Sequence, residues 1–178
     1  MLGYRDGDAG AFDSLFARHK GGLYRYLLRQ CRDAALAQEL FQDVWLNLIR
    51  ARTGYTVQAK FTTYLYRLAH NRLIDHYRRH NRAAVSSFDA EDGPALEELI
   101  DDCGQPPEAA YDARRQAAEL LRLVADLPAP QREAFLLQQE GGMSVEEIAA
   151  ATGVSRETAK SRLRYALGKL RQGMSRWR

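Results

Sequence analysis

The polar side chains with the clearest chemical pattern in this sequence lie on one side of "SRETAKSRLRYALGKLR", residues 155–171. Apolar residues recur there every three or four positions, which predicts a helix with one buried face. The other side carries or borders six candidate contacts: Arg156, Glu157, Lys160, Ser161, Arg164 and Tyr165. Arg can donate two hydrogen bonds to guanine, Glu can accept one from cytosine, and Lys and Arg bind phosphates. This face suits the major groove of duplex DNA, and a solvated basic helix is the alternative.

The residues before this stretch predict the first helix of a helix–turn–helix. Ser144 and Glu147 fit the S-x-x-E pattern of a capping box at the start of "VEEIAAA". Thr152-Gly153-Val154 predicts the turn, and Ser155 can cap the second helix. Such a module binds duplex DNA in many transcription regulators, so it does not define a function by itself.

A second candidate surface lies on the stretch "KFTTYLYRLAHNRLIDHYRR", residues 60–79, which also has helical periodicity. One side groups an aromatic ring with cations and an amide: Tyr64, Arg67, Asn71 and Arg78. Rings interleaved with cations stack unpaired bases and bind their backbone. The preceding loop, with Tyr55, Thr56, Gln58 and Lys60, can supply a pocket for a base swung out of the duplex. A surface tyrosine on an Arg-rich helix is the alternative.

A third candidate surface lies on the predicted helix that follows Asp33. Its apolar side is formed by Leu40, Phe41, Val44, Trp45 and Leu48. On the other side, Leu46 lies among polar residues that include Glu39, Gln42 and Asp43. A leucine in such surroundings can be the anchor of a protein–protein contact, although single exposed leucines are common.

No constellation in the sequence predicts catalysis, a metal site or a cofactor. His76 and His80 have a metal-ligand spacing, but no carboxylate or cysteine completes the set. Caps, core contacts and phosphate contacts explain these histidines and His70 better. Cys31 and Cys103 are too few and too far apart for a disulfide framework. We therefore expect no catalytic residue, metal, cofactor or small-molecule substrate.

Charge divides the 178-residue chain into three segments. Residues 1–82 carry 14 Lys/Arg and 7 Asp/Glu, residues 83–113 carry nine acids and no base, and residues 114–178 carry 12 bases and 7 acids. This pattern predicts two nucleic-acid-facing domains, 1–82 and 114–178, joined by an acidic flexible linker, 83–113. No apolar run is long enough for membrane insertion, and the N-terminus lacks a signal peptide, so we expect a cytoplasmic protein.

The periodicity predicts an all-α fold of two small helical domains, an N-terminal bundle and a C-terminal helix–turn–helix domain. Asp8 and Asp33 are candidate N-caps, and Gly21-Gly22 is expected to break or bend the first long helix. A short helix is predicted at "PALEELI" and a longer one from about residue 107 to 125. Pro130 suits the first turn of the next helix, which Gly141-Gly142 ends.

Taken together, these stretches resemble an extracytoplasmic-function (ECF) sigma factor of bacterial RNA polymerase, a class of the sigma-70 family. The resemblance rests on "DAALAQELFQDVWLNLIRA", "KFTTYLYRLAHNRLIDHYRR", the acidic linker, "LPAPQREAFLL" and "SVEEIAAATGVSRETAKSRLRYAL", in the family's order and spacing. It implies an N-terminal region 2-like domain that binds the clamp of the largest polymerase subunit and opens the −10 promoter element. It also implies a C-terminal region 4-like domain that reads the −35 element and docks on the flap of the second-largest subunit.

The resemblance also implies roles for individual residues. The clamp contact would be formed by Glu39, Gln42, Asp43 and Leu46. The loop at residues 53–60, with Tyr55 and Lys60, would hold a flipped −10 base, and the melted strand would be contacted by Tyr64, Arg67, Asn71 and Arg78. The −35 element would be contacted by Arg156, Glu157, Lys160, Ser161, Arg164 and Tyr165. Family members commonly have an anti-sigma factor as a partner, and the acidic linker would thread the RNA channel.

Three departures from the family pattern limit what the resemblance implies. Tyr64 replaces the usual tryptophan, which reduces the stacking area, and Tyr165 stands where arginine is frequent, so the −35 sequence cannot be carried over. The chain is also short before Asp8. The main rival interpretation is a dimeric operator-binding regulator that works without polymerase. A nucleic-acid enzyme and a scaffold protein are two further rivals.

Overall fold

The structure is a computed structural model that describes residues 1–83 and 107–177. Every regular element in these two ranges is a helix, which confirms the all-α prediction. The elements are α1 (Leu2–Arg5), α2 (Ala9–Cys31), α3 (Ala34–Arg50), α4 (Phe61–Ala83), α5 (Pro107–Ala125), α6 (Ala129–Gly141), α7 (Val145–Thr152), α8 (Arg156–Gly173) and a 3₁₀ turn (Met174–Trp177). No helix within the described ranges is long and apolar enough to cross a membrane.

Two sequence predictions fall wholly or partly outside the described residues. The helix predicted at "PALEELI" lies between residues 83 and 107, as does most of the acidic segment. The assignment of separate roles to residues 1–82, 83–113 and 114–178 stays a prediction. Below, the N-terminal domain means α1–α4 and the C-terminal domain means α5–α8.

Side chains cap four helices as the sequence predicts. The carboxylates of Asp8 and Asp33 accept hydrogen bonds from backbone N–H groups three residues further on, at 3.2 and 3.0 Å. Ser144 and Glu147 form a complete capping box at the start of α7. Ser155 accepts from the first turn of α8 at 3.2 Å. These bonds satisfy N–H groups that the helix itself leaves free, so each helix start is fixed by its own sequence.

The N-terminal domain packs α2, α3 and α4 around buried apolar side chains, among them Leu23, Leu27, Leu40, Val44, Leu48, Leu65, Ala69 and Leu73. An aromatic cluster closes one side of this core. Trp45 is its centre, with the rings of Phe12, Phe16 and Phe41 at centroid distances of 5.0–6.2 Å in edge-to-face arrangements. Such arrangements are favourable beyond the area they bury. The apolar side predicted for α3 is therefore the side that packs.

The C-terminal domain packs α8 against α6 and α7. Ala159, Leu163, Ala166 and Leu170 of α8 are buried, as the angular arrangement predicts, and Leu167 is half-buried. Gly153 ends α7 in the left-handed region with φ +68°, which glycine adopts without steric cost. The chain then turns directly into α8, so α7 and α8 form the predicted helix–turn–helix.

Gly21-Gly22 was expected to break or bend the first long helix, and the break is wrong, because α2 runs without interruption from Ala9 to Cys31. The reason lies in the packing of α2 against α6. A Cβ at Gly22 would lie 2.9 Å from the backbone carbonyl oxygen of Glu140 and 3.0 Å from the hydroxyl of Tyr66. Gly22 therefore lets two helices from different domains cross at close range.

The two domains share one continuous core. Helix α2 packs on α6, and α4 packs on both α6 and α7. Tyr66 of α4 is buried, with its ring next to Gly141 at the end of α6. This packing sets the relative position of the candidate functional surfaces, because α4 carries one of them and α7–α8 carry another.

Candidate nucleic-acid and polymerase interfaces

The candidate DNA contacts on α8 form one exposed surface, called here the recognition face: Arg156, Glu157, Lys160, Ser161, Arg164 and Tyr165. Five of these residues are exposed and Ser161 is half-buried. Tyr165 is 54% exposed, and the Arg164 guanidinium lies over its ring at 5.1 Å. The face is on the side of α8 opposite to the buried residues, so the helix presents it to solvent as the sequence predicts.

Arg156 of the recognition face already has two carboxylate partners. Its Nε lies 2.5 Å from the Glu146 carboxylate on α7, and its Nη1 lies 3.3 Å from Glu157. The hydrogen bond from Arg156 is the main reason that the pKa of Glu146 falls to about 2. Arg156 thus joins the two helices of the helix–turn–helix, a contact that the sequence analysis did not foresee.

A cavity of about 390 Å³ lies between α4 and the loop that precedes it. Its lining includes Tyr55, Thr56, Gln58, Thr63, Tyr64 and Arg67. We call it the Tyr64 pocket. Of the predicted −10 contacts, the structure brings Tyr55, Tyr64 and Arg67 together around this space. The volume is within the range of ordinary ligand sites.

Two tyrosines build the wall of the Tyr64 pocket. Tyr55 is 7% exposed, and its ring meets that of Tyr64 edge-to-face with centroids 5.2 Å apart. Burial, the largest cause, raises the pKa of Tyr64, and neighbouring Tyr55 adds to the shift. The N-terminus supports the loop: Arg5 donates to the Tyr55 carbonyl at 3.3 Å, and the Arg52 guanidinium lies 5.2 Å from the Tyr4 ring.

A buried polar atom in the pocket wall has no partner among the described residues. It is Thr63 Oγ1, in a residue that is only 4% exposed. A buried hydroxyl without a hydrogen bond carries a free-energy cost of about 1–3 kcal/mol. The wall of the pocket therefore contains a polar group whose hydrogen bond is not made within the described structure.

The C-terminal domain reaches the Tyr64 pocket through α7. Ala150 of α7 forms part of the lining. Lys60, a predicted −10 contact in the loop, pairs with Glu147 of α7 at 3.0 Å. The pKa of Glu147 is lowered, first by the backbone N–H of Ser144 and then by Lys60. The Glu147 carboxylate thus caps α7 and also pairs with the loop that precedes α4.

The remaining predicted −10 contacts lie away from the pocket. Asn71 and Arg78 are exposed on α4, about two and four turns beyond Tyr64. Arg78 lines a different cavity, of about 380 Å³, between α4 and the C-terminal domain, where Arg162 of α8 is also found. The structure therefore divides the predicted strand contacts between the pocket and the rest of α4.

The predicted polymerase contact on α3 is a solvent-facing surface, called here the Leu46 face: Glu39, Gln42, Asp43 and Leu46. Leu46 is 45% exposed, and Asp43 is half-buried with a carboxylate oxygen 4.0 Å from Arg72 Nε. Ile49, 39% exposed, lies three positions after Leu46 and extends the apolar surface. Ile49 was not among the predicted contacts, although its spacing from Leu46 was a usable signal.

The histidines and the described cysteine make ordinary contacts. His70 Nδ1 lies 2.6 Å from Glu133 Oε1 of α6, and the rings of His76 and His80 stack at 4.0 Å. In residues 1–83 and 107–177, no group of three His, Cys, Asp or Glu side chains is placed to hold a metal. Burial raises the pKa of Cys31 to about 12, as expected for a small buried side chain.

Comparison with known proteins identifies the family. Residues 15–83 match the family described as "Sigma-70 region 2", and residues 117–170 match "Sigma-70, region 4". "RNA polymerase sigma factor CarQ" of Myxococcus xanthus is 34% identical over 97% of this chain and 94% of its own length. "ECF RNA polymerase sigma factor RpoE" of Cereibacter sphaeroides is 31% identical over 94% and 88%. The chain belongs to the ECF sigma factors of the sigma-70 family.

Solved structures show that this sigma factor has the family's fold. The sigma factor RpoE in complex with the anti-sigma factor NepR, from Bartonella quintana, aligns with a TM-score of 0.74 at 19% identity, over 93% of this chain and 97% of that one. CnrH in complex with the cytosolic domain of CnrY aligns with a TM-score of 0.64 at 22% identity, over 96% and 92%. Nearly the whole length of the sigma factor is therefore matched in fold.

Proposed function

We propose that this ECF sigma factor, which directs transcription by RNA polymerase, does so by binding core polymerase, reading the −35 element as duplex, and melting and capturing the −10 element. The observation that carries this proposal is the Tyr64 pocket. A regulator that only reads duplex has no use for a 390 Å³ cavity beside an aromatic ring and the exposed cation Arg67. A protein that captures an unpaired base needs one.

Capture of the −10 element divides between the pocket and the surface of α4. The flipped base enters the pocket and stacks on Tyr64, while Arg67, Asn71 and Arg78 contact the strand and Lys60 contacts a phosphate. Unstacking costs a few kcal/mol per base step, and stacking on an aromatic side chain returns roughly 1–3 kcal/mol per base. The Thr63 hydroxyl, buried without a partner among the described residues, supplies a hydrogen bond to the base.

Recognition of the −35 element uses the exposed face of α8 in the major groove. Arg164 and Ser161 contact base edges, and Lys160 and Arg156 bind phosphates. The start of α8 adds backbone N–H groups that suit a phosphate. These duplex contacts position the chain and supply affinity that falls as salt rises.

Contact with polymerase uses both domains. The Leu46 face, extended by Ile49, binds the clamp of the largest subunit, because an exposed apolar anchor within a polar rim is typical of a protein–protein contact. The C-terminal domain docks on the flap of the second-largest subunit. The chain works in the cytoplasm, where polymerase and promoter meet. It supplies no catalytic residue, metal or cofactor, because polymerase carries the chemistry.

We also propose an anti-sigma factor as a partner. Of two proteins of similar fold, the sigma factor RpoE was solved in complex with the anti-sigma factor NepR, and CnrH was solved in complex with the cytosolic domain of CnrY. Among the described residues, the Leu46 face and the groove between α4 and the C-terminal domain are two surfaces open to such a partner. A Leu46→Asp variant that keeps full affinity for an inhibitor found by co-purification would exclude the Leu46 face as its site.

The test is transcription from a promoter library by purified core polymerase, with and without the chain. We expect promoter-specific transcripts only with the chain, and we expect Leu46→Asp to abolish them while the exposed control Arg50→Ala keeps them. Tight duplex binding by the chain alone, without polymerase-dependent transcripts, would instead favour the operator-binding regulator.

A further inference from the structure

The loop at residues 53–60, which forms one wall of the Tyr64 pocket, is exposed to solvent except at Tyr55. An exposed segment with few buried contacts opens locally at a low free-energy cost. At one end of the loop, Lys60 pairs with Glu147 of α7. At the other end, the Tyr55 N–H donates to the Arg52 carbonyl at 3.3 Å and closes a turn. The shape of this wall therefore depends on what holds the turn in place.

Helix α1 holds the turn through Arg5. The Nη1 of Arg5 donates to the Tyr55 carbonyl oxygen at 3.3 Å, across 50 positions of the chain. Both backbone polar groups of Tyr55 are thus bound, the N–H within the loop and the carbonyl by α1. The Tyr55 ring in turn meets the Tyr64 ring, with centroids 5.2 Å apart. Arg5 therefore helps to set the position of the pocket wall beside the proposed stacking ring.

Tyr4 of α1 holds the other side of the same turn. The Arg52 guanidinium lies 5.2 Å from the centre of the Tyr4 ring, within the range of a favourable cation–π contact. The Tyr4 ring lies 5.0 Å from that of Phe12, and Phe12 meets Trp45 edge-to-face at 5.8 Å. This series of rings connects the turn to the aromatic cluster of the N-terminal core, and α1 is the link between them.

The position of α1 is itself fixed by local contacts. Gly7 has φ +106°, a conformation that glycine adopts without steric cost, and the Asp8 N–H donates to the Gly3 carbonyl at 2.9 Å. The carboxylate of Asp6 accepts a hydrogen bond from Arg5 Nε at 2.8 Å. A guanidinium has five donors in a rigid fork, so Arg5 binds Asp6 and Tyr55 together.

We infer that α1 is a positioning element for base capture: Arg5 and Tyr4 act through Tyr55 and Arg52 to hold the wall of the Tyr64 pocket. This inference rests on the proposed function, since the pocket is the proposed −10 site. A site that is already formed loses less conformational freedom when its ligand enters, so holding the loop strengthens capture of the base. Reading of the −35 duplex does not use the loop and should not depend on α1.

Two variants with matched controls test the inference. Arg5→Ala removes the donor to the Tyr55 carbonyl, and Asp6→Asn, its control, changes the local partner of Arg5 and leaves that donor in place. Tyr4→Ala removes the ring below Arg52, and Tyr4→Phe keeps it. None of these positions belongs to the proposed DNA or polymerase contacts. Circular dichroism checks that each variant folds.

Hydrogen exchange of the backbone amides of residues 52–57 in the free chain measures how firmly the loop is held. We expect Arg5→Ala and Tyr4→Ala to raise the exchange rate about fivefold or more, because the turn loses one of its two attachments to α1. Asp6→Asn and Tyr4→Phe should stay within about twofold of wild type. This measurement needs neither polymerase nor promoter.

Permanganate reactivity at saturating holoenzyme measures promoter opening on two templates. One is intact, and the other lacks the −10 base whose removal slows the wild type most. On the intact template, Arg5→Ala and Tyr4→Ala should open the promoter about fivefold more slowly than wild type. On the template without the base they should match wild type, because no base is left to enter the pocket. A general defect in folding or in polymerase binding would slow both templates equally.

Three results would overturn the inference: unchanged loop exchange in Arg5→Ala, an equal loss of opening on both templates, or the same loss in Asp6→Asn as in Arg5→Ala. Failure of the proposed function has a different signature. No removal of a −10 base would then slow the wild type, and the role of α1 in capture would fall with it. The exchange rates would still report whether α1 holds the loop.

Discussion

The two candidate DNA surfaces of this sigma factor are built in different ways. The recognition face lies on a single helix, and five of its six residues are exposed. The Tyr64 pocket is assembled from a loop, from α4 and from Ala150 of another domain, and its tyrosines are buried or half-buried. Duplex DNA presents its edges in an open groove, so one exposed helix can read them. An unpaired base must be enclosed, which requires walls from several segments.

This difference has a consequence for the effect of mutations. A surface carried by one exposed helix depends on the residues of that helix. An enclosing site depends also on the segments that pack against its rim, as α7 does through Ala150 and the Glu147–Lys60 pair. We therefore expect changes at the pocket to affect promoter opening, and changes on the recognition face to affect duplex affinity and its dependence on salt.

The largest expected effect is that of Tyr64→Ala. Loss of the stacking ring should slow promoter opening about 30-fold, equivalent to about 2 kcal/mol of stacking. Tyr64→Phe keeps the ring and should open the promoter at a rate within about threefold of wild type. Tyr64→Trp should open it as fast as wild type or faster. Permanganate footprinting measures opening, and circular dichroism checks the fold. Equal losses in duplex binding and in opening would break the distinction between the two surfaces.

Thr63→Val is expected to have the next largest effect. Valine keeps the volume of threonine and removes the hydroxyl that has no partner within the described residues. If that hydroxyl binds the captured base, opening should slow about tenfold at the preferred base and the preference among bases should flatten, since one hydrogen bond is worth about 1–1.5 kcal/mol. Transcription from templates with all four bases at the flipped position measures both. An unchanged preference would mean that the pocket selects by shape.

Arg164→Ala and Lys160→Ala separate base reading from phosphate binding on the recognition face. We expect Arg164→Ala to weaken binding about fivefold at the cognate −35 sequence and less elsewhere. Lys160→Ala should weaken binding about threefold for all sequences and reduce the salt slope by about 0.9. Holoenzyme binding to duplex −35 fragments at several salt concentrations measures these effects. A sequence-dependent loss in Lys160→Ala would show that its contact is to a base.

The smallest expected effect concerns the two ion pairs that link α7 to the recognition face and to the loop of the Tyr64 pocket. Glu146 bonds to Arg156 and Glu147 to Lys60, and both carboxyl pKa values lie below the ordinary 4.5, that of Glu146 at about 2. Because these folded-state pKa values are lowered, the stability each group contributes is present above about pH 4.5 and is lost as pH falls through the folded value.

Variants at Arg156, the partner of Glu146, and at Lys60, the partner of Glu147, should separate the causes of the two lowered pKa values. The measurement is an NMR pH titration of the glutamate carboxyl carbons. Arg156→Ala should return the Glu146 midpoint toward 4.5. Lys60→Ala should raise the Glu147 midpoint only in part, because the Ser144 N–H, its larger cause, remains. A full return of Glu147 to 4.5 in Lys60→Ala would mean that the contact with the pocket loop, and not the cap, controls this carboxylate.

Features determined by neighbouring residues could be predicted from the sequence. The caps at Asp8, Asp33, Ser144 and Ser155, and the buried and exposed sides of α3 and α8, follow from spacing alone because each depends on residues within two turns. The tyrosine and arginine of the pocket were found in the same way, from their common side on α4.

Features determined by residues that are distant in the chain could not be predicted from the sequence. Tyr26 and Arg25 meet Glu133 and Glu140 across 107 and 115 positions of the chain, and no local pattern marks such pairs. Gly22 was interpreted by its helix propensity as a break, whereas the close approach of another helix decides its role. Thr63 carries no signal in the sequence either, because only the packed structure leaves its hydroxyl without a partner among the described residues.

The crossing at Gly22 has a consequence for genetics. Every glycine codon becomes an alanine codon by one nucleotide change, GGN to GCN, and alanine strengthens α2 as a helix while it prevents close contact with Glu140. Because α2 and α6 share one core at this crossing, the change should weaken the fold although it strengthens the helix. A screen of single-nucleotide variants for temperature-sensitive expression of the regulon should therefore return Gly22→Ala repeatedly, and Gly21→Ala rarely.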